Sequence, residues 1–519
     1  MPTNRFWGAT AGGVVAATWL TMASPAGAQD PLSAIDWLSQ SATAPRAGPV
    51  LLQPQTGRPA TGVGAAPISV IAIDAPRPDA VGLLPVAVTG LPRDVWGPGR
   101  TEEIAALIGA VQPGGLPAVQ GLIYTLLLAE VDPPADADAT GRLLLARVDK
   151  LLDLGALDPA MALLDLAGAK TPEPFQRWFD AALLLGEEDR ACVTMRASPY
   201  VAPSFAARVY CLARGGDWRA AALTLRTARA LGFVTDAEDA LLSRFLDPDL
   251  YEGEPPLPLP DRPSPLVWRI HEAIGEPIAT NGLPVAFAQA DLRANTGWKA
   301  RIEAAERLAR TGSVSANRLL GLYTERKPAA SGGVWDRAAA IQALEAALAG
   351  TEPAALGTAL PRAYQAMAAV ELEGAFAEAY AETLGKRALT GPVGALAFRI
   401  ALLTDRYEGF ARARVPEGGD EAFLIGLARG DLRGTTPPDG LGAAIRDGFA
   451  DPLLPADLAE LIARKRLGEA MLLAAARIER GAFGDLRDVT AGLGALRQLG
   501  LEDVSRRAAL ELMLLERRG

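Results

Sequence analysis

From Thr101 onward, apolar residues recur at spacings of three and four, and polar or glycine-containing breaks divide them into short helices. The stretch ATGRLLLARVDKLLDLGALDPAMALLDLAG shows the unit: one amphipathic run, a break at Leu154-Gly155, then a second run opened by Asp158-Pro159. PSFAARVYCLARGGDWRAAALTLRTARALG repeats it, with a Gly-Gly-Asp turn before a helix dense in alanine. The predicted form is a helical hairpin whose small side chains let its two helices approach. LVWRIHEAIG, VWDRAAAIQALEAALAG and LPRAYQAMAAVELEGAFAEAYAETLG continue the pattern. From Asp451 the chain closes with further hairpins and a charged tail, Glu516-Arg517-Arg518, expected to cap the array in solvent. The fold class this predicts is all-α.

The pattern differs before residue 101. Residues 1–28 have the grammar of a secretory signal: Arg5, an apolar stretch from Phe6 to Met22, and Ala26-Gly27-Ala28 as a small-residue cleavage site. Residues 29–41 predict a short amphipathic helix with Leu32, Ile35 and Leu38 on one face and Trp37 beside them, opened by Asp30 and Pro31. Residues 42–67, rich in Pro, Gly, Thr and Gln, read as a flexible linker. Residues 68–100 alternate at Ile71 and Ile73 and are studded with proline, which predicts a short extended or β segment near 68–90, packed on the helices as a clasp. Two helical blocks follow, 101–250 and 266–519, joined by a proline-rich connection at 251–265. No later segment has 18 uninterrupted apolar residues, so a mature chain freed of its signal is expected not to span a membrane.

Composition narrows the chemistry. Half of the 519 residues are hydrophobic but only 6% are aromatic, which favours closely packed helices. Lys plus Arg number 51 against 61 for Asp plus Glu, a net charge of −10, which argues against nucleic acid as a partner. His271 is the single histidine, and its context VWRIHEAIG reads as an ordinary helix position without a nucleophile elbow. Phosphate-binding, dinucleotide-binding, zinc-protease, calcium-loop and CxxC motifs are missing, so no catalytic, cofactor-binding or metal-ligating residue is assigned. In an exported chain Cys192 and Cys211 are expected to pair across a helical hairpin, with Pro199 and Pro203 marking the turn. The alternative is two reduced cysteines buried as small apolar residues.

The spacing Leu-x-x-Gly-x-x-x-x-Ala-x-x-Leu in these hairpins resembles tetratricopeptide-like and related α-solenoid repeats, without a strict 34-residue period. The run ARIEAAERLARTGSVSANRLLGLY is similar to the non-catalytic superhelical region of periplasmic lytic transglycosylases. These resemblances imply an irregular helical-hairpin solenoid with a concave binding surface. The catalytic Glu-Ser and Gly-Leu-Met-Gln signature of a transglycosylase domain is missing from the sequence. The expected function is a non-enzymatic periplasmic adaptor or scaffold for envelope proteins, and the alternative is a peptidoglycan-binding or degenerate cell-wall hydrolase-like protein. Two local features are candidate partner sites. One is the apolar face of Leu32, Ile35, Trp37 and Leu38, whose alternative is an unstructured remnant beside the cleavage site. The other is the loop Ser331, Gly332 and Gly333 between Tyr323 and Trp335, whose alternative is an interhelical turn with a core tryptophan.

Overall fold

Among the residues that the computed structural model describes, 77–168 and 170–515, every regular element is helical, and the one β feature is an isolated parallel bridge between Leu84 and Ala129. The signal, the helix carrying Leu32, Ile35, Trp37 and Leu38, the linker, residues 68–76 and the tail 516–519 lie outside them. Within 77–90 no strand forms. A 3-10 turn at Pro78–Ala80 leads through the bridge to a four-residue helix, Val86–Thr89. Pro78 and Pro85 have no N–H to give a ladder, and the amides of Leu83 and Leu84 both turn to one acceptor, the carbonyl of Leu128.

The helices of seven or more residues run in order as α1 (Thr101–Ala110), α2 (Pro117–Leu128), α3 (Arg142–Asp153), α4 (Leu157–Ala167), α5 (Pro172–Leu185) and α6 (Glu188–Ala197). Then come α7 (Phe205–Arg214), α8 (Trp218–Ala230), α9 (Asp236–Leu246), α10 (Pro265–Ala273), α11 (Trp298–Arg310) and α12 (Ala316–Thr324). The next six are α13 (Val334–Ala349), α14 (Pro353–Ala368), α15 (Glu373–Gly385), α16 (Gly391–Ala401), α17 (Tyr407–Ala413) and α18 (Gly419–Arg429). Last are α19 (Gly440–Phe449), α20 (Ala456–Ala463), α21 (Leu467–Ala482), α22 (Leu486–Gln498) and α23 (Glu502–Leu514). Chain neighbours pack on each other, as α7 on α8, α13 on α14 and α21 on α22 do. No described helix is long and apolar enough to cross a membrane.

Local chemistry sets the boundaries. Ser204, Asp217, Ser264 and Ser315 each accept a hydrogen bond from a first-turn amide of the helix they precede, and Thr235 and Glu238 form a reciprocal capping box. Pro117, Pro172, Pro265 and Pro353 stand at helix starts, where a missing N–H costs nothing. Alanines such as Ala160, Ala182, Ala221 and Ala228 are fully buried where helices meet.

Cys192 of α6 and Cys211 of α7 are joined in a disulfide, with their Cα atoms 4.9 Å apart. Both are buried. The turn between them, Pro199–Val201, brings the two helices side by side. The connection at 251–265 runs between α9 and α10, which pack together. Arg244 donates to the Pro255 carbonyl at 3.1 Å and pairs with Glu276 at 2.5 Å, and Glu276 accepts from the Leu257 amide. The described helices on both sides belong to one compact unit. His271 is buried in α10 with Nδ1 lacking a hydrogen bond, and burial pushes its pKa down, towards the neutral form.

The two ends of the described chain meet. α21 packs on α1 and α2, and α23 packs on α2. The amide of Gly468 donates to the Val95 carbonyl at 2.8 Å, and Arg466 pairs with both Glu103 and Glu469. Helix α2 begins against two carboxylates from the C-terminal helices: Leu116 N–H donates to Glu479 at 2.9 Å, and Ala118 N–H to both oxygens of Glu511 at 2.9 and 3.0 Å. These carboxylates satisfy amides that a helix start leaves unbonded and sit at the positive end of its dipole.

Candidate functional site

The start of α2 is also where a large concavity opens. Its floor is the loop Gly114-Gly115 and the outer face of α2, where Gln120, Gly121 and Tyr124 point away from the buried Ala118, Leu122 and Ile123. At Gly115 a Cβ would stand 2.2 Å from Glu479 Oε1, so a side chain there would push that carboxylate from its place beside the Leu116 amide. The loop after α11 forms the second wall. Tyr124 donates its hydroxyl to the Thr311 carbonyl at 3.0 Å and lies 3.0 Å from Ser313 Oγ, while Gln120 donates to the Arg310 carbonyl at 3.1 Å. Thr311 and Ser313 in turn donate to the Leu154 carbonyl, which fastens this loop to the end of α3. Burial raises the Tyr124 hydroxyl pKa, against the lowering effect of its Ser313 hydrogen bond.

The third wall is the turn into α15, with Glu371, Gly374, Glu378 and Glu382, and the fourth is Leu403–Arg406 with Arg507. Glu371 holds a left-handed backbone at φ 58°, a conformation costly for a residue with a Cβ. The cleft encloses about 590 Å³. Its charges are mixed. Arg406 at 2.8 Å and Lys386 at 3.0 Å hold the Glu382 carboxyl down to about 2. Arg310 and Arg507 make no side-chain hydrogen bond or ion pair with a described residue, so their guanidinium groups remain available.

A second concavity of about 290 Å³ adjoins the first through Gly114, Gly115 and Gln120. It is apolar, walled by Leu107, Val111, Ile123, Leu472 and Ala475, with Phe483 at its lip. Together they make a polar cleft running into an apolar pocket, a shape suited to a chain segment that buries one apolar side chain and lays polar groups alongside. Among the described residues, no group of three His, Cys, Asp or Glu side chains is placed to hold a metal ion.

The Tyr323 to Trp335 loop lines neither concavity. Tyr323 is fully buried and donates to Glu306 at 2.7 Å; Glu306 also receives Arg337, at 2.7 and 2.6 Å. Burial beside that carboxylate drives the Tyr323 hydroxyl well above 10. Trp335 is half-buried, its ring 5.0 Å from Trp298, and Ser331, Gly332 and Gly333 are exposed at the entry to α13. Leu32, Ile35, Trp37 and Leu38 lie outside the described residues. The cleft residues escaped sequence reasoning because four distant stretches and Arg507 supply them. The visible signal was Gly114-Gly115-Leu116-Pro117, a glycine turn placed directly before a proline-started helix.

The chain matches no protein-family profile, no curated protein and no solved structure.

Proposed function

We propose that this protein is a non-enzymatic periplasmic adaptor, an irregular tetratricopeptide-like α-solenoid that holds a segment of an envelope protein in its central cleft. The carrying observation is the convergence of residues 114–124, 309–316, 371–382 and 403–406 on one concavity of mixed polarity that continues into an apolar pocket. Peptide recognition needs that combination: an apolar anchor for affinity and polar groups, here Arg310, Arg507 and Glu378, to fix direction. The likeness to the superhelical scaffold of lytic transglycosylases and the signal-like first 28 residues support the periplasmic assignment.

A photo-crosslinking residue at Gln120, in cells, tests the reading. A defined envelope protein is the expected adduct, absent when the same residue is placed at the exposed Leu453. Adducts identical at both positions, or sedimentation of the purified protein with peptidoglycan and no protein adduct, would overturn it; the latter favours the glycan-binding alternative.

A further inference from the structure

The chain from Arg190 in α6 to the end of α8 departs from the rest of the molecule in charge. Between Arg190 and Ala230 the chain has seven arginines, one aspartate and no lysine or glutamate, in a protein of net charge −10. The same stretch and the loop after it are unusually apolar outside: of fourteen strongly exposed large hydrophobic residues among those described, six fall between Val193 and Phe233.

The two properties interleave on one helix. In α8, Ala221, Leu225 and Ala228 face the core. The opposite face carries Arg219, Leu223, Arg226 and Ala230, spaced so that arginine and leucine alternate along it. Leu223 is 60% exposed. Arg219 and Arg226 have no hydrogen-bond or ion-pair partner among the described residues, unlike Arg229, which pairs with Asp239, and Arg214, which pairs with Asp189. The helix ends in a left-handed Gly232, and the amide of Phe233 returns to the Ala228 carbonyl at 2.8 Å. Residue Phe233 then turns outward, 57% exposed, and stacks flat on Phe205 with ring centroids 4.9 Å apart. Arg208 lies over Phe205 at 5.4 Å, and its Nε is buried without a hydrogen bond. An exposed aromatic step thus follows, past the end of α8, a helix face with two free guanidinium groups and an exposed leucine.

We infer that this face is a docking surface for an acidic segment of a partner protein, with Arg219 and Arg226 taking its carboxylates and Leu223, Leu231 and Phe233 its apolar side chains. Charge complementarity selects the partner's sign, since the unpaired guanidinium groups of Arg219 and Arg226 on the exposed face of α8 repel a basic segment. Arginine selects carboxylates by its two-pronged geometry, and arginine with aromatic residues is the composition of interface hot spots. An anionic membrane fits less well. Asp236, Glu238 and Asp239 lie just after Phe233 at the start of α9, and a continuous layer of headgroups would meet them, whereas a single segment can keep its carboxylates at Arg219 and Arg226 and lay only apolar side chains on Phe233.

The surface shares no residue with the cleft, so it is tested separately. Phage-displayed random peptides are selected on the purified full chain at low ionic strength. Selected peptides should be rich in Asp and Glu together with Phe, Leu or Trp. Binding of a synthetic copy should fall at least about tenfold in R219E/R226E and about threefold in L223A, and should weaken with added salt. All three sites are exposed, and unchanged circular dichroism would show the variants folded. Selected sequences without acidic enrichment, or equal binding to R219E/R226E, would overturn the proposal. Two other outcomes would replace it: sedimentation with phosphatidylglycerol vesicles that R219E/R226E abolishes, meaning a lipid surface, or self-association in sedimentation velocity abolished by the same variant, meaning a second copy of this chain.

Discussion

At the scale of single residues, the buried charges do the least expected work. The run LLLARVDKLLD reads as an amphipathic helix, yet Arg147 and Lys150 are both buried in α3. Arg147 donates to the carbonyls of Leu127 and Ala129 at the end of α2 and of Val81 in the segment before α1. Lys150 donates to Gly109 and Val111 at the end of α1. Each cation meets carbonyls that a helix end leaves unpaired, at the negative pole of the dipole. The apolar period of the sequence revealed the helix; it could not reveal that the polar face was turned towards two helix ends from elsewhere in the chain. Asp180 is the counter-example, a charge with poor support. One oxygen accepts from Gln176 at 2.8 Å, the other is buried without a partner, and burial pushes its pKa from an ordinary 3.8 up to about 6. Its folded state favours the protonated carboxyl, so its contribution is complete below about pH 4 and is lost as the pH rises through 6. Asp180→Asn should therefore stabilise the protein by on the order of 2 kcal/mol at pH 7.5 and leave it nearly unchanged at pH 4. Urea midpoints of both proteins at the two pH values check this, and an equal difference at both would refute the assignment.

At the scale of elements, boundaries written in local chemistry were legible and boundaries set by distant partners were not. The Gly-Gly-Asp turn became the cap of α8, because Asp217 needs only the amide of Ala220 three residues on. Pro361 stands inside α14, which begins at Pro353. The helix-rich run from Ala300 to Tyr323 divides at Thr311 to Ser313, whose hydroxyls go to the end of α3, more than 150 residues away in sequence. That break is one wall of the cleft, which explains why the site itself could not be read from periodicity. The hairpin of α6 and α7 is the opposite case, since cysteine pairing and the proline turn were both local. Its disulfide closes a sequence separation of 19 residues. The double substitution Cys192→Ala/Cys211→Ala should cost about 3 kcal/mol in the chain-entropy account. The midpoint of urea unfolding should drop accordingly, and added reductant should lower the wild-type midpoint but not that of the variant. No effect of reductant on the wild type would show that the covalent link adds nothing to the packing around it.

At the scale of the molecule, closure decides what the helices can do. Terminal repeats of an open array keep a polar outer face and fray independently. Here α23 is not an outer end, because Glu511 is buried and holds the first turn of α2, while Glu479 holds the amide before it. The first and last parts of the described chain are thus expected to open as one unit. The same carboxylates lie against Gly115 and the start of α2, which form the floor of the cleft, so closure and the shape of the cleft are one structural event. Glu511→Ala removes the acceptor and leaves Ala118 N–H without its partner, an expected loss of about 2 kcal/mol. The informative measurement is hydrogen exchange. Protection should fall together in residues 95–128 and 467–514, and stay unchanged in residues 205–246, where the disulfide-linked hairpin and its neighbours pack apart from the junction. Faster exchange confined to α23 would mean that the C-terminal helix frays alone and that the ends fold independently of each other.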